Sequence, residues 1–285
     1  MKPHILMSRR TDLSSITHAD DLVASFADAA RSAGELALAY FRPGEKTSAE
    51  VLHKAGGSPV TEADLLVDRF LKERLGVLLP EAGWLSEETE DTSARLAKEF
   101  VVVVDPIDGT RGFARGDLVW AVAVALVRNG KPLVGIVHAP ALAQTYVAVR
   151  GGGARLNGKT IEVSKLRALR AGARVAAPAT LAADLRRAGL EFELQPRIPS
   201  LAMRIAAVAS GALDAGFASQ NSNDWDIAAA DLILEEAGGR LASLDGCAIV
   251  YNRGETRHGV LTAAPAQIHA EVNAAARRAM GAIAD

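Results

Sequence analysis

The chain has 285 residues, of which 49% are hydrophobic, and a formal net charge of −2, so it has the apolar content for a large buried core. This near-neutral charge provides no general attraction to nucleic acid polymers or anionic membranes, and no segment reaches the roughly 20 consecutive apolar residues of a membrane span. The single cysteine, Cys247, cannot form an intramolecular disulfide, and we expect a protein of the reducing cytoplasm.

Two helices are predicted in the first quarter of the chain. After a mixed polar arm at residues 1–16, Thr17-x-x-Asp20 is typical of a helix start, and apolar residues then recur at helical spacing until about Pro43. Residues 61–64 show the same Thr-x-x-Asp spacing and open a second helix, which ends near Pro80. Asp64 therefore lies in a first helical turn, and we expect both helices to cover one sheet.

The middle of the chain is rich in strand signals, and its last part alternates strands with helices. Short connections such as Asn129-Gly130 favour antiparallel pairing in the middle, and the three glycines at 151–153 are typical of a hairpin turn. The predicted strands cover residues 100–104, 119–127, 133–138, 145–149, 174–177 and 213–218, and the predicted helices cover 181–188 and 201–210.

A pair of acids ends the first of these strands. Residues 101–104 are four valines, and Asp105-Pro-Ile-Asp108-Gly-Thr follows them. Carboxylates at the end of a buried strand are typical ligands of Mg²⁺ in α/β proteins, although Asp-Pro and Asp-Gly also form ordinary turns. A rival interpretation is the haloacid-dehalogenase-like signature Asp-x-Asp-Gly-Thr, whose first Asp is a covalent nucleophile. Pro106 stands at that position here, so the spacing favours shared metal ligation.

Three further acids have comparable placements. Asp226 opens an alanine-rich helix closed by Gly238-Gly239, so it lies near a helix N-terminus as Asp64 does. The positive end of the helix dipole keeps such carboxylates ionised, as a metal requires, but capping alone would also explain either residue. Glu87-Glu88 precedes the Asp105 strand, where a solvated charged turn is the alternative. The six histidines show no spacing typical of zinc ligands, and we interpret them as structural or surface residues.

Together these motifs resemble the inositol monophosphatase superfamily of Mg²⁺-dependent, lithium-sensitive phosphomonoesterases. In chain order the motifs are Pro59-Val-Thr-Glu-Ala-Asp64, Glu87-Glu88, Asp105-Pro-Ile-Asp-Gly-Thr110, Trp225-Asp-Ile-Ala-Ala229 and Glu236-Ala-Gly-Gly239. The resemblance implies a layered α/β/α/β/α sandwich of the α/β (α+β) class. We predict an N-terminal α+β subdomain (1–165) that carries most metal ligands and a C-terminal α/β subdomain (166–285) that completes the site.

The resemblance also implies a role for each candidate residue. Two or three Mg²⁺ ions would be held by Glu87, Asp105, the backbone carbonyl of Ile107, Asp108 and Asp226. The implied catalytic residues are Asp64, Glu87 and Thr110, of which Asp64 and Thr110 would orient the attacking water without a phosphoenzyme. The implied substrate contacts are the N–H groups of Gly109 and Thr110, which would cradle a phosphate, together with Arg111, Arg204 and Asp226. Lys54 matches a lysine of several members, and a solvated loop lysine is the alternative.

Two arginines favour one substrate class. Arg111 directly follows Asp-Gly-Thr and Arg204 lies in a predicted helix, and the bisphosphate nucleotidase branch has basic residues at both places. Because arginine binds phosphate bidentately, we predict that 3'-phosphoadenosine 5'-phosphate is cleaved to AMP. An inositol or sugar monophosphate is the alternative, with both arginines then on the surface. A non-catalytic phospholigand-binding protein is the alternative of a different class, and a homodimer stays open.

Overall fold

The computed structural model describes residues 16–54 and 57–281, with side chains from residue 20 onward. The predicted polar arm therefore lies almost wholly outside the described residues, and so does the side chain of Thr17. The described helices are α1 (Ile16–Leu38), α2 (Glu62–Leu78), α3 (Thr110–Arg115), α4 (Ala179–Arg187), α5 (Leu201–Ala209), α6 (Asp224–Glu236) and α7 (Ala266–Gly281). Both predicted N-terminal helices are present. However, α1 ends at Leu38 and not near Pro43, because the N–H groups of Tyr40 and Phe41 bond the carbonyls three residues back and form turns there.

A short hairpin and a seven-stranded sheet make up most of the first half. The hairpin pairs β1 (Val51–His53) with β2 (Pro59–Thr61). The sheet contains, in chain order, β3 (Gly83–Ser86), β4 (Phe100–Asp108), β5 (Ala121–Arg128), β6 (Lys131–Ala139), β7 (Gln144–Val149), β8 (Ala154–Leu156) and β9 (Lys159–Thr160). Only the β3–β4 pair is parallel in the described sheet, so the predicted antiparallel middle is confirmed. The predicted hairpin turn at residues 151–153 joins β7 to β8 and is also confirmed.

The second half forms a smaller sheet and a two-stranded ribbon. The smaller sheet has the order β11-β10-β12-β16-β14. Its strands are β10 (Arg174–Ala176), β11 (Glu193–Leu194), β12 (Ala215–Ala218), β14 (Gly239–Ser243) and β16 (Leu261–Pro265), and the ribbon pairs β13 (Ser222–Asn223) with β15 (Arg257–His258). This alternation of strands and helices matches the pattern predicted after residue 166.

The helices and sheets stack in five layers. One apolar cluster joins α1 and α2 to one face of the larger sheet. A second cluster joins the other face to α5 and α6, which also pack on the smaller sheet, and a third packs α4 and α7 on that sheet's outer face. The predicted α/β/α/β/α sandwich is therefore confirmed. The predicted boundary at 165/166 falls between β9 and β10, and the division into subdomains stays a prediction.

Strand β4 is buried on both faces and positions the central acids. Val102 and Val104 face the α1–α2 cluster, whereas Val101 and Val103 face the α5–α6 cluster. The pairing with β5 shifts register between Asp105 and Asp108, as a β-bulge does. Both acids still pair with β5, Asp105 with Ala123 and Asp108 with Ala121, so the irregularity lies between them at Pro106 and Ile107. Among the helices at residues 16–54 and 57–281, none has the length and apolar character needed to cross a bilayer.

Candidate active site

Three carboxylates from three elements converge at the end of β4. Glu87 directly follows β3, Asp105 belongs to β4, and Asp226 lies in the first turn of α6. One carboxylate oxygen from each residue lies within 4.8 Å of the others. The capping box of α6 explains the placement of Asp226, because its carboxylate accepts a 2.5 Å hydrogen bond from the N–H of Asn223.

The electrostatics of this cluster fit a bound divalent cation. Asp105 is 1% exposed, and its Oδ1 has no hydrogen-bond partner among the described residues. Burial is the main cause that raises the pKa values of Asp105 and Asp226 well above their usual range, and the neighbouring carboxylates Glu87 and Asp108 raise them further. Buried carboxylates in such a group are stable as anions only with a compensating charge. Hard divalent cations with oxygen ligands supply that charge.

Asp108 takes a different position from the three converging acids. Its Oδ2 accepts hydrogen bonds from the Ser200 hydroxyl at 2.5 Å and the Ala202 N–H at 2.6 Å, and its Oδ1 accepts one from the Leu201 N–H at 3.1 Å. Asp108 therefore caps the N-terminus of α5 from outside the helix. Burial raises the pKa of Asp108 to about 6, although these hydrogen bonds lower it. Its predicted role as a metal ligand stays a prediction.

The predicted water-positioning pair lies together. The Thr110 hydroxyl is 3.1 Å from Asp64 Oδ1 and 3.0 Å from the carbonyl oxygen of Ile107. Asp64 Oδ2 accepts the N–H of Thr61 at 2.8 Å and the Thr61 hydroxyl accepts the N–H of Asp64 at 3.3 Å, which together form the predicted capping box. The Thr61 hydroxyl also lies 2.5 Å from Asp64 Oδ2. Burial raises the pKa of Asp64 to about 6, against the effect of the hydrogen bonds from Thr61.

The turn between β4 and α3 contains Gly109 and Thr110, whose role as a phosphate cradle stays a prediction. Gly109 has a φ of 94°, in the left-handed region that favours glycine. A Cβ at this position would also lie 3.2 Å from the backbone nitrogen of Ser200. α3 begins at Thr110, whose N–H is in a first turn that offers no intrahelical acceptor. Arg111 follows as an exposed side chain.

Lys54 is paired with acids at the edge of the cluster. Its Nζ lies 2.9 Å from Glu87 Oε1 and 2.8 Å from Glu88 Oε1. The interpretation of Lys54 as a solvated loop lysine is therefore wrong. Glu88 is also not a solvated turn residue, because its side chain is 3% exposed, and burial raises its pKa to about 7 while the Lys54 hydrogen bond lowers it.

Arg204 lines a polar cavity next to Asp226 and Asp108. The cavity has a volume of about 230 Å³, and its other lining residues include Ser219, Gln220, Asn221 and Ser222. The Arg204 guanidinium donates 2.8 Å hydrogen bonds to the carbonyl oxygens of Phe217 and Ile198. These bonds occupy one N–H on each terminal nitrogen and fix the guanidinium plane at the cavity wall. Arg204 is thus not a surface arginine.

Comparison with known proteins identifies the family of this chain. A family model described as "Inositol monophosphatase family" matches residues 18–281. The chain belongs to the inositol monophosphatase family. It is accordingly a phosphatase, a phosphoric monoester hydrolase that acts on small phosphorylated substrates, as the sequence predicted.

Relatives within the inositol monophosphatase family have different named activities. The chain is 36% identical over 212 residues to a histidinol-phosphatase of Mycobacterium tuberculosis, which covers 67% of this chain and 76% of the relative. It is 31% identical to the 3'(2'),5'-bisphosphate nucleotidase CysQ of Aggregatibacter actinomycetemcomitans over 80% of this chain and 86% of the relative. The structure of the extragenic suppressor protein suhB of Bartonella henselae superposes with a TM-score of 0.78 at 27% identity, covering 90% of this chain and 98% of that one.

Ser200 belongs to the candidate site and was not predicted from the sequence. Ser200 caps α5 through its 3.0 Å hydrogen bond from the Met203 N–H and also bonds Asp108. A serine directly before an apolar helical run is a typical N-cap, so the cap itself was predictable. Its contact with Asp108 spans 92 positions of sequence, and no local pattern encodes such a contact.

Proposed function

We propose that this protein is a Mg²⁺-dependent phosphomonoesterase whose metal centre is built on Glu87, Asp105 and Asp226. The buried Oδ1 of Asp105, which has no partner among the described residues and lies amid converging carboxylates, carries this proposal. The Ile107 carbonyl and Asp108 are the further ligands we assign. Mg²⁺ favours a few carboxylates together with water and substrate phosphate, and two or three ions at these acids are part of the proposal.

The protein groups have separate tasks in the proposed reaction. Mg²⁺ bound at such a site supplies Lewis acidity, which makes water nucleophilic at neutral pH and offsets the charge of the phosphoryl oxygens. The Thr110 hydroxyl and Asp64 hold the attacking water. Because the pKa of Asp64 is about 6, its carboxylate is ionised at neutral pH and accepts a hydrogen bond from that water. The N–H groups of Gly109 and Thr110 bind phosphate oxygens. We assign no covalent nucleophile, so in the proposed reaction water attacks phosphorus directly.

We infer that the substrate is a compact metabolite that carries a second anionic group. The preferred candidate is 3'-phosphoadenosine 5'-phosphate. The support is the guanidinium of Arg204, which is fixed at the wall of the cavity beside Asp226, and the exposed Arg111 beside Thr110. Arginine recognises phosphate by charge and by paired N–H donors. A family relative named as a bisphosphate nucleotidase supports the same inference.

A polyol phosphate is the second candidate, because the same cavity is rich in neutral polar groups. Ser219, Gln220 and Asn221 line it with hydroxyl and amide groups. Such groups can both donate and accept hydrogen bonds, as recognition of several hydroxyls requires. Inositol 1-phosphate is the substrate that tests this candidate.

Phosphate release by the purified protein decides between these candidates. We would measure kcat/KM with Mg²⁺, with and without Li⁺, on 3'-phosphoadenosine 5'-phosphate, inositol 1-phosphate, fructose 1,6-bisphosphate and histidinol phosphate. An advantage of about a hundredfold for the adenosine bisphosphate, equivalent to roughly 2.7 kcal/mol of transition-state discrimination, supports the nucleotidase proposal. A preference for inositol 1-phosphate supports the second candidate. No release from any substrate would overturn the enzymatic proposal in favour of a phospholigand-binding protein.

A further inference from the structure

A second acid on α2 holds the turn that carries Glu87. Asp68 lies one helical turn after Asp64 and is 8% exposed. Its Oδ1 accepts a 2.5 Å hydrogen bond from the Ser86 hydroxyl, and its Oδ2 accepts a 2.6 Å hydrogen bond from the Thr89 hydroxyl. Asp68 therefore bonds the residues on both sides of Glu87-Glu88.

In the hydrogen bonds around Asp68, the hydroxyls donate and the carboxylate accepts. An ionised carboxylate only accepts, so both hydroxyls must donate to Asp68. Their lone pairs are then free to accept: the Ser86 oxygen accepts the N–H of Glu88 at 3.3 Å, and the Thr89 oxygen accepts the indole N–H of Trp84 at 3.3 Å. An asparagine at position 68 would donate to one hydroxyl, and that hydroxyl would have to reverse.

The turn held in this way is continuous with the sheet that carries Asp105. The N–H of Glu87 donates to the carbonyl of Val104 at 3.2 Å, so the backbone of Glu87 still follows the β3–β4 pairing. The Glu87 carboxylate then extends toward Asp105 and Asp226. Asp68 itself is not in that group of converging carboxylates, and it contacts the turn through Ser86 and Thr89.

We propose that Asp68 is a positioning residue for the metal centre. It fixes the Ser86–Thr89 turn and thereby the approach of the Glu87 carboxylate to Asp105 and Asp226. This inference rests on the proposed function, in which Glu87 is a metal ligand. Groups that orient metal ligands typically contribute about 10- to 100-fold to metal affinity. Loss of the Asp68 contacts is therefore expected to weaken Mg²⁺ binding, while the phosphate cradle at Gly109 keeps its geometry.

The test compares Asp68→Asn and Thr89→Val with the wild-type protein. Thermal unfolding is followed during titration with Mg²⁺ alone, and phosphate release is measured against Mg²⁺ concentration. For both variants the Mg²⁺ concentration at half-maximal effect should rise about 10- to 100-fold in both assays, while KM for the phosphomonoester at saturating Mg²⁺ stays within about twofold. Thr89→Ser retains the hydroxyl and should restore the wild-type response. Glu73→Gln, which removes an exposed acid from the same helix, controls for the loss of one negative charge.

The outcomes separate this inference from the proposed function. If the wild type responds to Mg²⁺ and both variants respond within about twofold of it, the positioning role of Asp68 is overturned and the proposed function stands. If Asp68→Asn does not fold, the Mg²⁺ response of Thr89→Val alone decides: a response within about twofold of the wild type overturns the positioning role. If the wild type shows neither stabilisation by Mg²⁺ nor phosphate release, the proposed function fails and the role of Asp68 fails with it.

Discussion

Ser200→Ala removes a contact between the two halves of the chain, and its cost can be worked out from the structure. The N-cap bond to the Met203 N–H contributes about 1 kcal/mol, and the bond to the buried Asp108 carboxylate contributes about 1.5–3 kcal/mol. The N–H groups of Leu201 and Ala202 still bond Asp108, so the carboxylate keeps partners. We expect a loss of about 3 kcal/mol in unfolding free energy, equivalent to about 6–12 °C in Tm.

The same substitution should have a larger effect at high pH. Because the pKa of folded Asp108 is raised from 3.8 to about 6, its ionisation opposes folding above about pH 6, and this opposition is absent below pH 4. Loss of the Ser200 hydroxyl raises that pKa further, so the variant loses more stability at pH 8 than at pH 4.5. Urea unfolding in EDTA measures both values, and Ser200→Thr, which keeps the hydroxyl, is the control. Equal losses at the two pH values, or losses below about 0.5 kcal/mol, would refute this reasoning.

Four other predictions can be checked with the same protein. Asp105→Asn should lower Mg²⁺-dependent kcat by about a thousandfold or more without lowering the unfolding free energy in EDTA; near-normal turnover contradicts the proposed site. Arg204→Ala should lose far more kcat/KM on 3'-phosphoadenosine 5'-phosphate than on a monophosphate, and equal losses remove the reason for a bisphosphate. Gly34→Ala should cost about 1–2 kcal/mol in urea unfolding, because its Cβ would lie 2.6 Å from His138 Cδ2; an unchanged midpoint argues against that contact. Mg²⁺ should raise Tm at pH 8 and much less at pH 5, because the raised pKa of Asp108, about 6, lets protons compete with the cation for this proposed ligand; equal shifts contradict this.

The sequence predicted those parts of the fold that local patterns encode. Strand β4 was predictable because four consecutive valines favour a buried strand, and the start of α2 was predictable because Thr61 and Asp64 form a capping box. The hairpin of β1 and β2 was not predicted, since its first strand shows no alternation of buried and exposed residues: Val51, Leu52 and His53 are all exposed. Tertiary pairing, rather than local preference, sets such strands.

The candidate site also has parts that the sequence predicted and parts that it did not. Asp64, Glu87, Asp105 and Asp226 follow local start and stop signals, and the structure brings the last three together. Some hydrogen-bond partners of these acids come from distant segments, because the packing of helix and sheet layers determines which side chains are in contact. The two carbonyl acceptors of Arg204 illustrate this, since one of them belongs to β12, and the sequence showed only a basic residue on a helix. Substrate choice depends on such contacts and stays a proposal.

Because α6 lies between the two sheets, the proposed metal centre would link two lengths of polypeptide. Glu87 and Asp105 come from the larger sheet, whereas Asp226 comes from α6, beyond the exposed Arg167 in the connecting segment. A cation held by all three would act as a cross-link, and the same carboxylates repel one another without it. A chain cut once at Arg167 should therefore remain a two-fragment complex whose dissociation in urea is delayed by Mg²⁺ and advanced by EDTA. Gel filtration of the cut protein in urea, with Mg²⁺ or with EDTA, would measure the dissociation of the two fragments. Identical dissociation with Mg²⁺ and with EDTA would exclude the cross-link.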